Sequence, residues 1–142
     1  MILDKMLELS DKQAITATAV STNVIDAGGT RAANIGRDIG AGTALFAALT
    51  INTTLAAAGA ATLRLTLQDS DDNVTFVDRV STADLAIADL TAGKKQFLPI
   101  PPGMRRYIRG NYTVGTGPFT GGTVSLHIVD GIDFARQYPA TP

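Results

Sequence analysis

The chain has 142 residues, a length typical of one domain that buries enough apolar surface to fold without disulfides or a metal. It contains no cysteine, which excludes thiolate catalysis and cysteine metal sites and suits a protein made in a reducing cytoplasm. Twelve basic and 13 acidic side chains give a net charge of -1, so no overall field attracts nucleic acid or an anionic membrane.

The composition favours a β protein with small side chains and many turns. Hydrophobic residues make up 45% of the chain, but only 6% of residues are aromatic, and there are 14 glycines and no tryptophan. Threonine is frequent throughout, and helix-forming residues are sparse after the first dozen positions. We therefore expect an all-β fold.

The N-terminal segment, residues 1–13, is apolar but interrupted by charges. Its apolar residues do not follow one period, so either a short amphipathic helix or an extended arm is compatible with them. It has neither the continuous core of a signal peptide nor the length of a membrane span. We expect no export signal.

The sequence pattern in the middle of the chain predicts a series of short strands. Residues 45–51 are apolar on both faces, as in a central strand. Leu63, Leu65 and Leu67 alternate with polar residues and predict a strand with one buried face. Residues 69–73 then form a polar turn into a strand at 74–77, which predicts a hairpin.

Two further segments precede the C-terminal strands. Residues 81–92 are compatible with a short helical turn or an irregular crossover. Residues 94–100 predict a strand, and its prolines restrict it to the edge of a sheet.

The C-terminal third contains the strongest strand signals. Two β-rich runs, residues 105–114 and 123–129, flank a loop with four glycines and a proline, which predicts that they are antiparallel neighbours. Gly110 interrupts the apolar face of the first run, where a bulge or a close contact is expected. In the second run His127 alternates with the apolar residues, so we expect it to face solvent.

Seven or eight short strands, with turn signals every eight to twelve residues, predict a single-domain antiparallel β-sandwich of the jelly-roll type over residues 1–142. A closed barrel is the structural alternative. Residues 1–13 are a possible arm, and residues 136–142 form an extended tail.

The residues needed for catalysis or metal binding are not found in the sequence. His127 is the only histidine, no serine lies in a nucleophile elbow, and no glycine loop ends in the Lys-Ser/Thr pair of a phosphate cradle. We expect no enzyme activity, no cofactor and no metal.

Arg105, Arg106 and Arg109 lie close to Tyr107 and Tyr112 in the sequence, a combination that is found in nucleic-acid-binding surfaces and in protein interfaces. The balanced charge and the lack of further basic clusters argue against nucleic acid. Arginine beside tyrosine is equally typical of protein interfaces, which is the function we expect here.

The sequence resembles the capsid cement, or decoration, proteins of short-tailed bacteriophages, in particular the Bordetella phage cement-protein family. The order and spacing of many short segments carry the resemblance, which covers most of the chain. These segments are MILD (1–4), LSD (9–11), QA (13–14), ATA (17–19), STNVID (21–26), RDIGAG (37–42), AAGAATL (57–63), RY (106–107), NYTV (111–114) and TGPFT (116–120).

The resemblance implies a jelly-roll subunit on the outer surface of the virion, synthesised in the bacterial host cytoplasm. Such a subunit bridges neighbouring major capsid proteins, stabilises the icosahedral head and associates with itself as a homodimer or homotrimer. The residues that we expect at protein interfaces are Ile2, Leu3, Met6, Leu7, Arg105, Arg109 and Tyr138. The alternative function is a non-catalytic β-sandwich binding module for a receptor or carbohydrate.

Overall fold

The computed structural model describes residues 3–28 and 42–130, and in these ranges the regular secondary structure is almost entirely β-strand. The strands are β1 (Glu8–Ala14), β2 (Ala19–Val20), β3 (Ile25–Asp26), β4 (Phe46–Ala56), β5 (Thr62–Ser70), β6 (Val77–Ser81), β7 (Leu85–Ala86), β8 (Lys95–Pro99), β9 (Tyr107–Gly115) and β10 (Gly121–Val129). Two short 3-10 turns, Lys5–Leu7 and Ile87–Asp89, precede β1 and β8.

The strands form two antiparallel sheets. The first sheet has the order β1-β10-β4-β8. The second has the order β2-β9-β5-β6, with β3 also paired to β9 and β7 also paired to β5. When β2 with β3, and β6 with β7, are each taken as one interrupted strand, eight strands remain, four in each sheet, and their order in the two sheets is that of a jelly roll. The predicted antiparallel sandwich is confirmed.

The predicted pairing of the two C-terminal runs is wrong. β9 lies in the second sheet beside β5, whereas β10 lies in the first sheet between β1 and β4. The glycine-rich loop therefore crosses from one sheet to the other, with Thr116 (φ 58°) and Gly117 (φ 103°) in left-handed conformations. Alternation identifies the buried face of each strand but not its neighbour, because strands of both sheets bury one face against the same core.

The core lies between the sheets and follows the alternation of the sequence. Leu63, Leu65 and Leu67 of β5 are completely buried, as predicted, and they belong to the same core cluster as the apolar side chains of β10. Gly110 in β9 marks a close approach of the two sheets, because a Cβ atom there would lie 2.6 Å from Leu126 Cδ2. The predicted close contact at Gly110 is therefore confirmed.

The N-terminal segment is neither a regular helix nor a fully extended arm. The 3-10 turn begins after Asp4, whose carboxylate accepts a hydrogen bond from the Met6 backbone N–H at 2.9 Å. From Glu8 to Ala14 the chain is β1, paired with β10, so within the described part of this segment residues 3–7 precede the sheet. The predicted tail, residues 136–142, lies outside the described residues.

The strand register places several connections at one end of the sandwich. β4 runs from this end of the sandwich to the opposite end, and β5 runs back. The start of β4 and the turn after Ser70 therefore lie at the same end. Glu8 pairs with His127, which pairs with Ala48 near the start of β4. The N-terminal segment and the β5–β6 turn are therefore at the same end, which we call the N-terminal end of the sandwich.

Candidate interaction surfaces

The N-terminal segment exposes large apolar side chains. Met6 is 81% exposed and Leu3 is 43% exposed, whereas Leu7 packs against the core. Exposed Leu3 and Met6 fit the predicted interface role, and Leu7 instead anchors the 3-10 turn to the sandwich. Ile2 and Tyr138, also predicted at interfaces, lie outside the described residues.

Beside this segment, the outer face of the first sheet contains a polar concavity of about 380 Å³. Leu3 and Lys5 line one side of it, and Lys95 of β8 lines another. On its floor, the Ser125 hydroxyl donates to Asn52 Oδ1 at 2.7 Å and accepts a hydrogen bond from the Lys12 backbone N–H. The floor is thus a fixed hydrogen-bonded surface.

The expectation that His127 faces solvent is wrong. Its side chain points to the outer face of the sheet, as alternation requires, but it is only 7% exposed. Glu8 of β1 lies against it, with Glu8 Oε2 3.3 Å from His127 Nε2. The sequence contains no signal for this contact, since 119 positions separate the two residues.

Glu8 connects the concavity to the N-terminal segment. Its carboxylate forms an ion pair with the Lys5 ammonium one turn earlier, and that hydrogen bond lowers the pKa of Glu8 below its ordinary value. The contact with His127 lowers this pKa further, and partial burial opposes both effects. The carboxylate therefore holds Lys5 and His127 together on one side of the concavity.

Arg105 and Arg109 lie at the same end of the molecule but on the second sheet. Arg105 Nη1 lies 3.3 Å from Asp71 Oδ2, in the turn between β5 and β6. The Arg109 guanidinium stacks on the Phe76 ring, 3.7 Å from its centroid, and donates to Gln68 Oε1 at 2.8 Å. Both predicted interface arginines are thus bound to the β5–β6 hairpin.

A buried carboxylate anchors the base of this hairpin. Asp69 is completely buried, and its Oδ2 lies 2.7 Å from Arg79 Nε of β6. The Arg105 backbone N–H donates to the same oxygen at 2.9 Å. Asp69 therefore ties β5, β6 and the start of β9 together, although the sequence predicted only a polar turn there.

Within residues 3–28 and 42–130, no group of three or more histidine, aspartate or glutamate side chains is arranged to hold a metal ion. In the same ranges, no helix is long and apolar enough to cross a membrane.

Comparison with known proteins gives one family match. No curated protein matches the chain. A family model described as Bbp16 matches residues 9–128, from β1 to β10, and so covers both sheets. The family name indicates a Bordetella phage protein, in agreement with the resemblance found in the sequence. The chain belongs to the Bbp16 family.

Proposed function

We propose that this chain is a structural component of a phage particle, which decorates the outside of an icosahedral head and bridges its major capsid proteins. The family match over residues 9–128 is the observation that supports this proposal most directly. The chain acts by binding and has no catalytic role.

The contact surfaces are grouped at the N-terminal end of the sandwich. Met6 and Leu3 present apolar side chains beside the polar concavity, and the β5–β6 hairpin projects from the second sheet at the same end. A bridging subunit needs at least two contact surfaces, one for each neighbour. These two surfaces meet that requirement.

The mechanism is stabilisation by mass action. A subunit that binds only the assembled shell stabilises the shell by its binding free energy. Self-association into a homodimer or homotrimer adds valency, because a second contact on the same particle becomes effectively intramolecular. Many modest contacts per particle then act together.

The test is co-sedimentation of the purified chain with empty capsids of its source phage, together with light scattering of the free protein. We expect saturable binding in a fixed stoichiometry and a dimeric or trimeric free protein. A chain that remains in the supernatant at all concentrations would contradict the proposal.

Point variants test the N-terminal surface better than truncation does. Removal of residues 1–9 would also remove Leu9, which is completely buried in the core. Met6→Ser changes an exposed side chain and should weaken capsid binding without loss of stability. Val20→Ser is the matched control, because Val20 is an exposed apolar residue of β2, paired with the middle of β9 and outside the N-terminal segment.

A further inference from the structure

We propose that the turn of the β5–β6 hairpin, residues 71–76, is a preformed contact element. Its apex residue Val74 inserts into an apolar recess edged by basic side chains on a subunit of the phage shell. This inference rests on the proposed decoration of the head, and it specifies the chemistry of one docking site.

The turn is held in one conformation by its own side chains. Asp72 Oδ1 accepts hydrogen bonds from the Ser70 hydroxyl at 2.7 Å and from the backbone N–H groups of Val74 and Thr75 at 2.9 and 2.8 Å. Asn73 adopts a left-handed conformation with φ 59°, which asparagine tolerates better than most residues. The apex backbone is therefore fixed before any partner binds.

The turn is also anchored to the outer face of the second sheet. The Phe76 ring stacks on the Arg109 guanidinium, and Arg109 donates to Gln68 of the central strand β5. Gln68 in turn donates to Asp78 Oδ1 of β6 at 2.7 Å. This chain of contacts fixes the direction of the hairpin relative to the sheet.

Within this rigid frame, Val74 is 81% exposed, and Val77 beside the turn is 41% exposed. A single exposed valine is ordinary on a protein surface. Here, however, the backbone that presents it is fixed by the Asp72 cap and by the Phe76–Arg109 stack. Preorganisation of this kind lowers the entropy lost on binding, so it favours a contact residue.

The charge around the apex points to a basic partner. Asp71 and Asp72 precede Val74 in the turn, and both are exposed. In the Arg105–Asp71 ion pair the carboxylate is the more exposed partner: the Asp71 side chain is 75% exposed and the Arg105 side chain 38%. Within the turn itself the exposed charges are therefore the two carboxylates, and the complementary rim carries lysine or arginine.

The test compares Val74→Asp with Val20→Asp in binding to purified empty capsids, at low and moderate salt. Val74→Asp should lower the affinity at least about tenfold, because it places a charge in an apolar recess. Val20 is exposed but lies on β2, opposite the middle of β9, so Val20→Asp should bind as the unchanged chain does. Thermal unfolding of both variants should match that of the unchanged chain, since both side chains are exposed.

Two further variants test the Phe76–Arg109 stack that fixes the hairpin and the negative charge of Asp71. Arg109→Met removes the stack on Phe76 and should weaken binding although Val74 is retained. Asp71→Asn should weaken binding more at low salt than at moderate salt, because salt screens the attraction to a basic rim.

The outcomes separate this inference from the proposed function. If the unchanged chain binds capsids and Val74→Asp binds equally well, the hairpin is not a docking element, while head decoration stands. If the unchanged chain does not bind, the proposed function fails and this inference fails with it.

Discussion

The Tyr112 hydroxyl lies 2.8 Å from Ser10 Oγ, and this contact joins the two sheets at a point where both side chains are completely buried. The Ser10 hydroxyl donates to Gln13 Oε1 at 2.7 Å, so Tyr112 is the donor to Ser10. The Gln13 side chain also donates a hydrogen bond to the Val20 carbonyl and accepts one from the Thr22 backbone N–H, both beyond β1. Burial raises the pKa of Tyr112, which keeps its hydroxyl protonated as a donor.

Tyr112→Phe should destabilise the protein by about 0.5–1.5 kcal/mol, because it removes one buried hydrogen bond and leaves Ser10 paired to Gln13. Denaturant unfolding monitored by circular dichroism measures this change. Tyr107→Phe, in a half-buried position of the same strand, is the control and should have a smaller effect. Equal effects of the two variants would contradict the role given to the Tyr112–Ser10 contact.

Gly110→Ala should destabilise the protein by about 1–3 kcal/mol, because the added methyl group meets Leu126 in a packed core. Gly59→Ala is the control, since a Cβ atom at Gly59 has no neighbouring atom within 4 Å. Combining Gly110→Ala with Leu126→Val should cost less than the sum of the two single changes, because valine gives the methyl group space. If the loss of unfolding free energy in the double variant equals the sum of the two single losses, the added methyl group does not clash with Leu126.

The sequence was sufficient to predict the buried face of the clearest strand and the edge position of another. The alternation of Leu63, Leu65 and Leu67 predicted their burial, and the prolines around residue 99 predicted an edge strand, which β8 is. Both features depend only on the local geometry of a strand. The fold class followed from repeating this pattern along the chain.

Strand neighbours could not be predicted in the same way. β9 and β10 are consecutive, but β9 pairs with β5 and β10 with β4, because each sheet is assembled from strands distant in sequence. The burial of His127 likewise depends on Glu8, which the first sheet brings to it from the other end of the chain. Such contacts leave no periodic pattern in a single sequence.

The candidate surfaces include residues that the sequence indicated and residues that it did not. The cluster of arginines beside tyrosines predicted an interface role for Arg105 and Arg109. In the structure both side chains contact the hairpin that exposes Val74. The polar residues 69–73 predicted the hairpin, but the strand expected at 74–77 was wrong, because β5 continues to Ser70 and β6 begins only at Val77. The exposure of Val74 depends on the conformation imposed by the Asp72 cap, which the sequence alone does not specify.

Arg79→Met should destabilise the protein by about 1.5–3 kcal/mol, because it removes the nearest charged partner of the buried Asp69 carboxylate. The control is Arg64→Met, whose partner Asp84 is 52% exposed, and which should cost at most about 1 kcal/mol. Denaturant unfolding of the two variants side by side measures the difference. A larger loss for Arg64→Met would contradict the anchoring role of Asp69.

Asp72→Asn should destabilise the hairpin in a pH-dependent way. The hydrogen bonds from Ser70, Thr75 and Val74 lower the pKa of Asp72 from 3.8 to about 2. A carboxyl group with a lowered pKa in the folded state contributes its full stabilisation above its ordinary pKa and loses it as pH falls toward the folded value. The advantage of the unchanged chain over Asp72→Asn should therefore be constant above about pH 5 and shrink between about pH 4 and about pH 2. Unfolding free energies of both proteins across this range test the prediction, and a difference that stays constant down to about pH 2 would contradict it.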